Sequence, residues 1–144
     1  MMNSGTVLPF LQMRRRLCDN LIEKGYEITV SGYTEVSKDL LKQYKADYVY
    51  IPLSRAGINP VQDLKVLRAY YKEMKREKYE IVHSYTAKPN IYGSIAAKYA
   101  GIRRIYPTVN GLGYAFTDVD TGKLKAKFVR FMISLLYKWG FSCA

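Results

Sequence analysis

Cysteine is scarce in this chain of 144 residues: only Cys18 and Cys143 occur, near opposite ends. They match no disulfide or metal-ligand spacing, so both read as free thiols of a reducing compartment. Long apolar runs are also missing. The longest, residues 128–139, is interrupted by Arg130 and Lys138 and falls short of the roughly 20 residues that span a bilayer. No secretory signal opens the chain, because Met1-Met2-Asn3-Ser4-Gly5 is neither basic nor followed by a clean apolar run. The chain therefore reads as soluble or peripheral. Acidic residues are few, 12 against 23 lysines and arginines, for a formal net charge of +11. That balance favours anionic partners, whether nucleic acid, phosphorylated ligands or an anionic membrane face, and says nothing about fold. There is no internal repeat, low-complexity segment or linker. The 49% of apolar residues excludes disorder and suits one ordinary domain.

What is present alternates between helix and strand. Phe10, Met13, Leu17, Leu21 and Ile22 fall near helical spacing, predicting a helix over residues 9–24 that Gly25 ends. A β-rich segment follows at 26–30, a modest helix at 36–45 and a strand at 48–51 closed by Pro52. Asn59-Pro60 starts a long amphipathic helix over 61–78, with Leu64, Leu67 and Tyr71 able to face inward. Residues 80–83 read as a buried strand, 90–100 as a helix of small residues ended by Gly101, and 104–109 as a strand. Pro107 marks that last strand as an edge or a bulge. A final helix, 124–139, is apolar on most faces. Strands separated by helices of this length imply parallel pairing in a doubly wound α/β sheet of the Rossmann-like kind.

Ligands of such sheets gather at the carboxyl ends of the strands. Three segments land there. Asn3-Ser4-Gly5-Thr6 is a small polar loop able to aim backbone N–H groups at a phosphate; it matches no nucleotide fingerprint and reads equally as a helix cap. His83-Ser84-Tyr85-Thr86-Ala87-Lys88-Pro89-Asn90 holds the one histidine, placed at a strand end. His83 there is suited to bonding a sugar hydroxyl or moving a proton, Lys88 to meeting a phosphate, and Asn90 to capping the next helix or binding ligand. The competing reading is a satisfied core histidine beside a capped helix. Asn110-Gly111-Leu112-Gly113-Tyr114 lets backbone approach a ligand, or is a simple turn.

Most of the 14 tyrosines are explained by packing, with Tyr85 and Tyr114 as candidates for stacking on sugar. The run Arg14-Arg15-Arg16 reads as a solvated face. The last helix joins Lys123, Lys125, Lys127 and Arg130 to Phe128, Phe131, Met132, Leu135 and Trp139, a pattern that fits either a membrane interface or a core helix with a basic start.

In this order, Ser54-Arg55-Ala56-Gly57-Ile58-Asn59-Pro60, residues 83–97 and Asn110-Gly111-Leu112-Gly113 resemble family 4 glycosyltransferases of the GT-B architecture. The likeness is greatest to bacterial enzymes that assemble capsule, O-antigen or other glycans on a polyprenyl-diphosphate carrier. It implies the N-terminal, acceptor-side half of a GT-B fold over residues 1–144, with the donor domain absent. It implies retaining transfer from a nucleotide sugar to a lipid-linked saccharide, by a peripheral protein at the cytoplasmic face of the cell membrane. It implies no metal or other cofactor and no nucleic-acid partner. By position, Asn3, Ser4 and Gly5 match the loop near the donor diphosphate; His83, Lys88 and Asn90 match the loop facing the acceptor, with His83 the candidate catalytic residue; Asn110, Gly111 and Gly113 match the loop lining the interdomain cleft. Two departures accompany the likeness. The apolar first strand is reduced to Met1-Met2, so a missing central strand is expected, and the chain stops at Ala144. A domain incomplete at both ends is expected to be inactive alone. The alternatives are a docking module of a split transferase, which binds a membrane or partner, and a basic nucleic-acid-binding domain; the scattered basic residues and lack of a nucleic-acid motif count against the latter.

Overall fold

The computed structural model describes residues 1–53, 59–110 and 123–144. Five strands form one all-parallel sheet in the order β3-β2-β1-β4-β5. They are β1 (Met2–Asn3), β2 (Ile28–Gly32), β3 (Ala46–Tyr50), β4 (Ile81–Tyr85) and β5 (Arg104–Thr108). The helices are α1 (Val7–Met13), α2 (Arg15–Glu23), α3 (Lys38–Gln43), α4 (Pro60–Glu77), α5 (Ser94–Ala100) and α6 (Lys123–Ser142), with a π-turn at Pro89–Gly93 leading into α5. The expected Rossmann-like α/β fold is therefore present.

The expectation of a missing central strand is corrected. β1 is short but lies in the middle of the sheet, Met2 opposite both Val30 and His83. Backbone bonds extend the ladder beyond it: Met1 N donates to Ile81 O (2.7 Å), His83 N to Met1 O (2.9 Å) and Ser4 N to Ser31 O (3.0 Å). Two residues of strand with flanking bonds on both sides satisfy backbone groups that would otherwise be orphaned.

Element boundaries differ from expectation for local reasons. The helix over 9–24 breaks at Arg14, which is non-helical at φ −110°, ψ 16°. β2 starts late because Gly25, at φ +84°, and Tyr26 finish the helix: Gly25 N donates to Ile22 O and Tyr26 N to Leu21 O. β4 runs two residues beyond the expected end, so His83 sits in mid-strand rather than at its tip. Pro107 lies in an edge strand, where the ladder tolerates it.

Alternating side chains divide the interior between the two faces of the sheet. One face buries Val7, Phe10 and Leu11 of α1 with Ile28, Val30 and Tyr85. The other buries Val66, Tyr70 and Met74 of α4 with Val82, Ile95 and Ile105. Polar side chains also enter the second core. Asn3, fully buried, donates from Nδ2 to Ser84 Oγ (3.0 Å) and accepts from Ser31 Oγ at Oδ1 (2.9 Å), cross-linking three neighbouring strands. The π-turn lies over this pair: a Cβ on Gly93 would come within 2.8 Å of Asn3 Nδ2 and 2.9 Å of Ser84 Oγ. On its outer side α6 presses with Gly140, where a Cβ would come within 3.0 Å of Ile91 Cα. Glycine is required at both contacts by space.

Candidate functional site at the carboxyl edge

The strand order reverses direction between β1 and β4, and a crevice opens outside the carboxyl ends of strands at such a switch. The loop after β1 and the loop after β4 meet there, since a Cβ on Gly5 would lie 3.3 Å from Tyr33 and 4.0 Å from Thr86 Oγ1. Ser4 is buried and bonds Thr6 O through Oγ (3.2 Å), while Gly5 O accepts from Tyr33 N (3.1 Å). The first turn of α1 is satisfied from outside, by Val7 N donating to Thr34 Oγ1 (3.2 Å). Of this loop's expected site residues, Gly5 lies beside the crevice, while Asn3 and Ser4 are held inside the fold.

In the second loop, His83 is half-buried and engaged at both ring nitrogens: Nε2 lies 2.7 Å from Thr108 Oγ1 and Nδ1 lies 2.9 Å from Tyr85 Oη. Burial, then the Arg14 charge, then the chain's amino group hold the imidazole below its usual pKa. Burial pushes the Tyr85 phenol up to about 12. A neutral ring accepts at one nitrogen and donates from the other, so one of Tyr85 and Thr108 donates to the ring and the other accepts from it. Tyr85 also stacks on the His83 ring (centroids 4.3 Å apart) and meets Phe10 (4.8 Å). Thr86 takes φ +69°, a rare conformation for a β-branched residue.

Lys88 does not stand open to solvent: its ammonium lies 2.7 Å from Asp63 Oδ1, with side-chain exposures of 18% and 6%. The other Asp63 oxygen accepts from Asn59 N (3.2 Å), so the start of α4 is tied to the loop after β4. Asn90, fully buried in the π-turn, donates to Thr108 O (2.9 Å), and its Oδ1 has no hydrogen-bond partner among the described residues. It bridges to β5 rather than capping α5.

The third loop enters the described residues only at Asn110, which is exposed and accepts from Arg14 Nη2 (3.2 Å). Gly111, Gly113 and Tyr114 lie outside the described residues, as do residues 54–58 and the side chains of 123–130. Arg14 also lies over the Tyr85 ring, 5.1 Å from its centroid. Sequence reasoning assigned Arg14 to a solvated face and did not single out Thr108 or Asp63. Phe10 and Arg14, one helical turn apart, both lie against Tyr85 of β4. Among the described residues, no group of three His, Cys, Asp or Glu could hold a metal ion, and no helix is long and apolar enough to cross a membrane.

Comparison with known proteins places this edge in context. The family described as "Glycosyl transferase 4-like" matches residues 9–142. An Escherichia coli relative, UDP-Gal:alpha-D-GlcNAc-diphosphoundecaprenol alpha-1,3-galactosyltransferase, is 34% identical over 90 residues, covering 62% of this chain and 20% of the relative. A Campylobacter jejuni relative, N,N'-diacetylbacillosaminyl-diphospho-undecaprenol alpha-1,3-N-acetylgalactosaminyltransferase, is 36% identical over 113 residues, covering 78% of this chain and 28% of the relative. The chain thus spans between a fifth and a third of the length of these curated relatives. The crystal structure of Acinetobacter baumannii MurG shares the fold, with a TM-score of 0.58 and 17% identity over 89% of this chain and 37% of that one. The match over residues 9–142 takes in nearly every element described above, and the chain belongs to the glycosyl transferase 4-like family.

Proposed function

We propose that this chain is the acceptor-side domain of a transferase that moves a sugar from a nucleotide-sugar donor to a polyprenyl-diphosphate-linked saccharide. The observation that carries this reading is the meeting of the loops after β1 and β4 at the point where strand order reverses, in a chain whose two relatives are named for diphosphoundecaprenol-linked acceptors. On this reading Gly5 and Asn110 line the crevice, Lys88 and Asn90 shape its acceptor wall, and His83 orients Tyr85 and Thr108 beneath it. The transfer needs no resident metal. The opposing donor lobe of such a transferase supplies the charges that stabilise the leaving diphosphate.

The second partner is an anionic membrane at the cytoplasmic face. Phe131, Leu135 and Trp139 recur every fourth residue along α6 and are 64%, 51% and 47% exposed, an arrangement suited to the headgroup boundary, and the net charge of +11 attracts anionic lipid.

Isothermal titration separates the substrate roles. A short-chain polyprenyl-diphosphate saccharide is expected to bind this chain, and UDP-sugars to bind more weakly. Tighter binding of the nucleotide sugar, or no binding of the lipid-linked saccharide, refutes the acceptor-side assignment.

A further inference from the structure

Arg14 is not among the ion-paired cations of the described residues. Among the described residues, Arg15 pairs with Asp19, Arg76 with Glu73 and Glu77, Lys88 with Asp63 and Arg104 with Glu80. Among the described residues Arg14 faces no carboxylate within ion-pair distance and meets the Tyr85 ring and the Asn110 amide oxygen. Its charge sits at the carboxyl edge, where its field reaches His83.

The group is also held still. Tyr85 is wedged between Phe10 and His83 and hydrogen-bonded to the latter, so the guanidinium rests on a fixed ring. A guanidinium donates and never accepts. The Asn110 amide must therefore turn its oxygen toward Arg14, which directs its NH₂ group away as a further donor. The result is a half-exposed planar cation beside an oriented neutral donor, with a single guanidinium N–H spoken for among the described residues. Such a fork matches the oxygens of a phosphate in pairs.

We propose that Arg14 and Asn110 form a subsite for a diphosphate group at the carboxyl ends of β4 and β5. The subsite rests on the reading of this edge as the substrate edge and adds to it a specific anion-binding pair. The diphosphate belongs either to the nucleotide sugar or to the lipid carrier, and the two sources share this chemistry.

The test is a titration of the ¹⁵N-labelled chain with inorganic pyrophosphate, followed by UDP and by farnesyl diphosphate. The Arg14 Nε–H and Asn110 Nδ2–H₂ resonances are expected to move along one saturating curve. Arg14→Met is expected to weaken binding by about tenfold and Arg14→Lys by less. Arg15→Met removes an equal charge from a neighbouring exposed pair and leaves affinity unchanged. Stronger binding of UDP or of farnesyl diphosphate identifies the source. The inference fails if Arg14→Met binds pyrophosphate like the wild type, if shifts cluster away from Arg14 and Asn110, or if no diphosphate binds. Should Arg14→Met not fold, the wild-type resonances decide alone. Binding of lipid-linked saccharide that is indifferent to Arg14 would sink the subsite and spare the acceptor assignment; Arg14-dependent pyrophosphate binding without saccharide binding would do the reverse.

Discussion

His83 and Arg14 influence one another through charge. Removing the guanidinium lifts one of the causes that depress the imidazole, so Arg14→Met is expected to move the His83 pKa up toward the usual 6.5, as followed by the pH dependence of its ring resonances in NMR. Burial, the larger cause, remains and keeps the value below 6.5. The same shift ties the histidine to stability. Its folded pKa lies below the unfolded one, so the unfolded chain takes up the proton first as pH falls. Stability is full above about pH 6.5 and declines as pH drops from there through the folded pKa. Urea melts across that range are expected to show a decline that becomes shallower in His83→Gln; an unchanged slope would contradict the assignment. Asn3 illustrates a different kind of residue. Asn3→Ala strands Ser31 and Ser84 in the core without their shared partner, with an expected loss of about 1–3 kcal/mol in chemical denaturation. The sequence placed Asn3 in a ligand loop because polar residues near a strand end suit both roles, and only the register, Asn3 opposite Ser31 and Ser84, turns its amide inward. Arg14 was hidden for the complementary reason: within a run of three arginines, nothing in the run itself separates Arg14, which lies over Tyr85 at the carboxyl edge, from Arg15, which lies over Tyr44.

At the level of elements, the alternation of helix and strand was legible from periodicity and from glycine and proline punctuation, which is why the order and the parallel sheet followed from the sequence. The boundaries were not, because they depend on caps and on partners far along the chain: β4 continues through Ser84 and Tyr85 since β5 offers Pro107 and Thr108 opposite them. The two-residue β1 had too little length to show any period. The π-turn was likewise invisible, its widened backbone being set by what presses on it from both sides. That arrangement makes a testable demand. Gly140→Val adds atoms against the backbone of Ile91 and is expected to cost about 1–3 kcal/mol, an overpacking penalty. Gly25→Val, with nothing within 4 Å of its added Cβ, encounters only the unfavourable φ. Hydrogen exchange distinguishes the two, since the first is expected to loosen residues 89–100 and the second the end of α2.

For the molecule as a whole, a charge of +11 and an exposed aromatic row on α6 predict binding to vesicles of phosphatidylglycerol over phosphatidylcholine, weakening as salt rises from 50 to about 500 mM through screening. Salt-insensitive binding to both would point to the aromatic row alone. The seat of α6 bears on how such a surface meets the site. A helix advances 1.5 Å per residue, so sliding α6 by one step would set Trp139 or Phe141 where only Gly140 fits. The helix is therefore keyed to the π-turn at one axial position. Whatever surface grips the aromatic row encounters the carboxyl-edge loops at a fixed height and bearing, as a gauge block fixes the distance between a tool and its work.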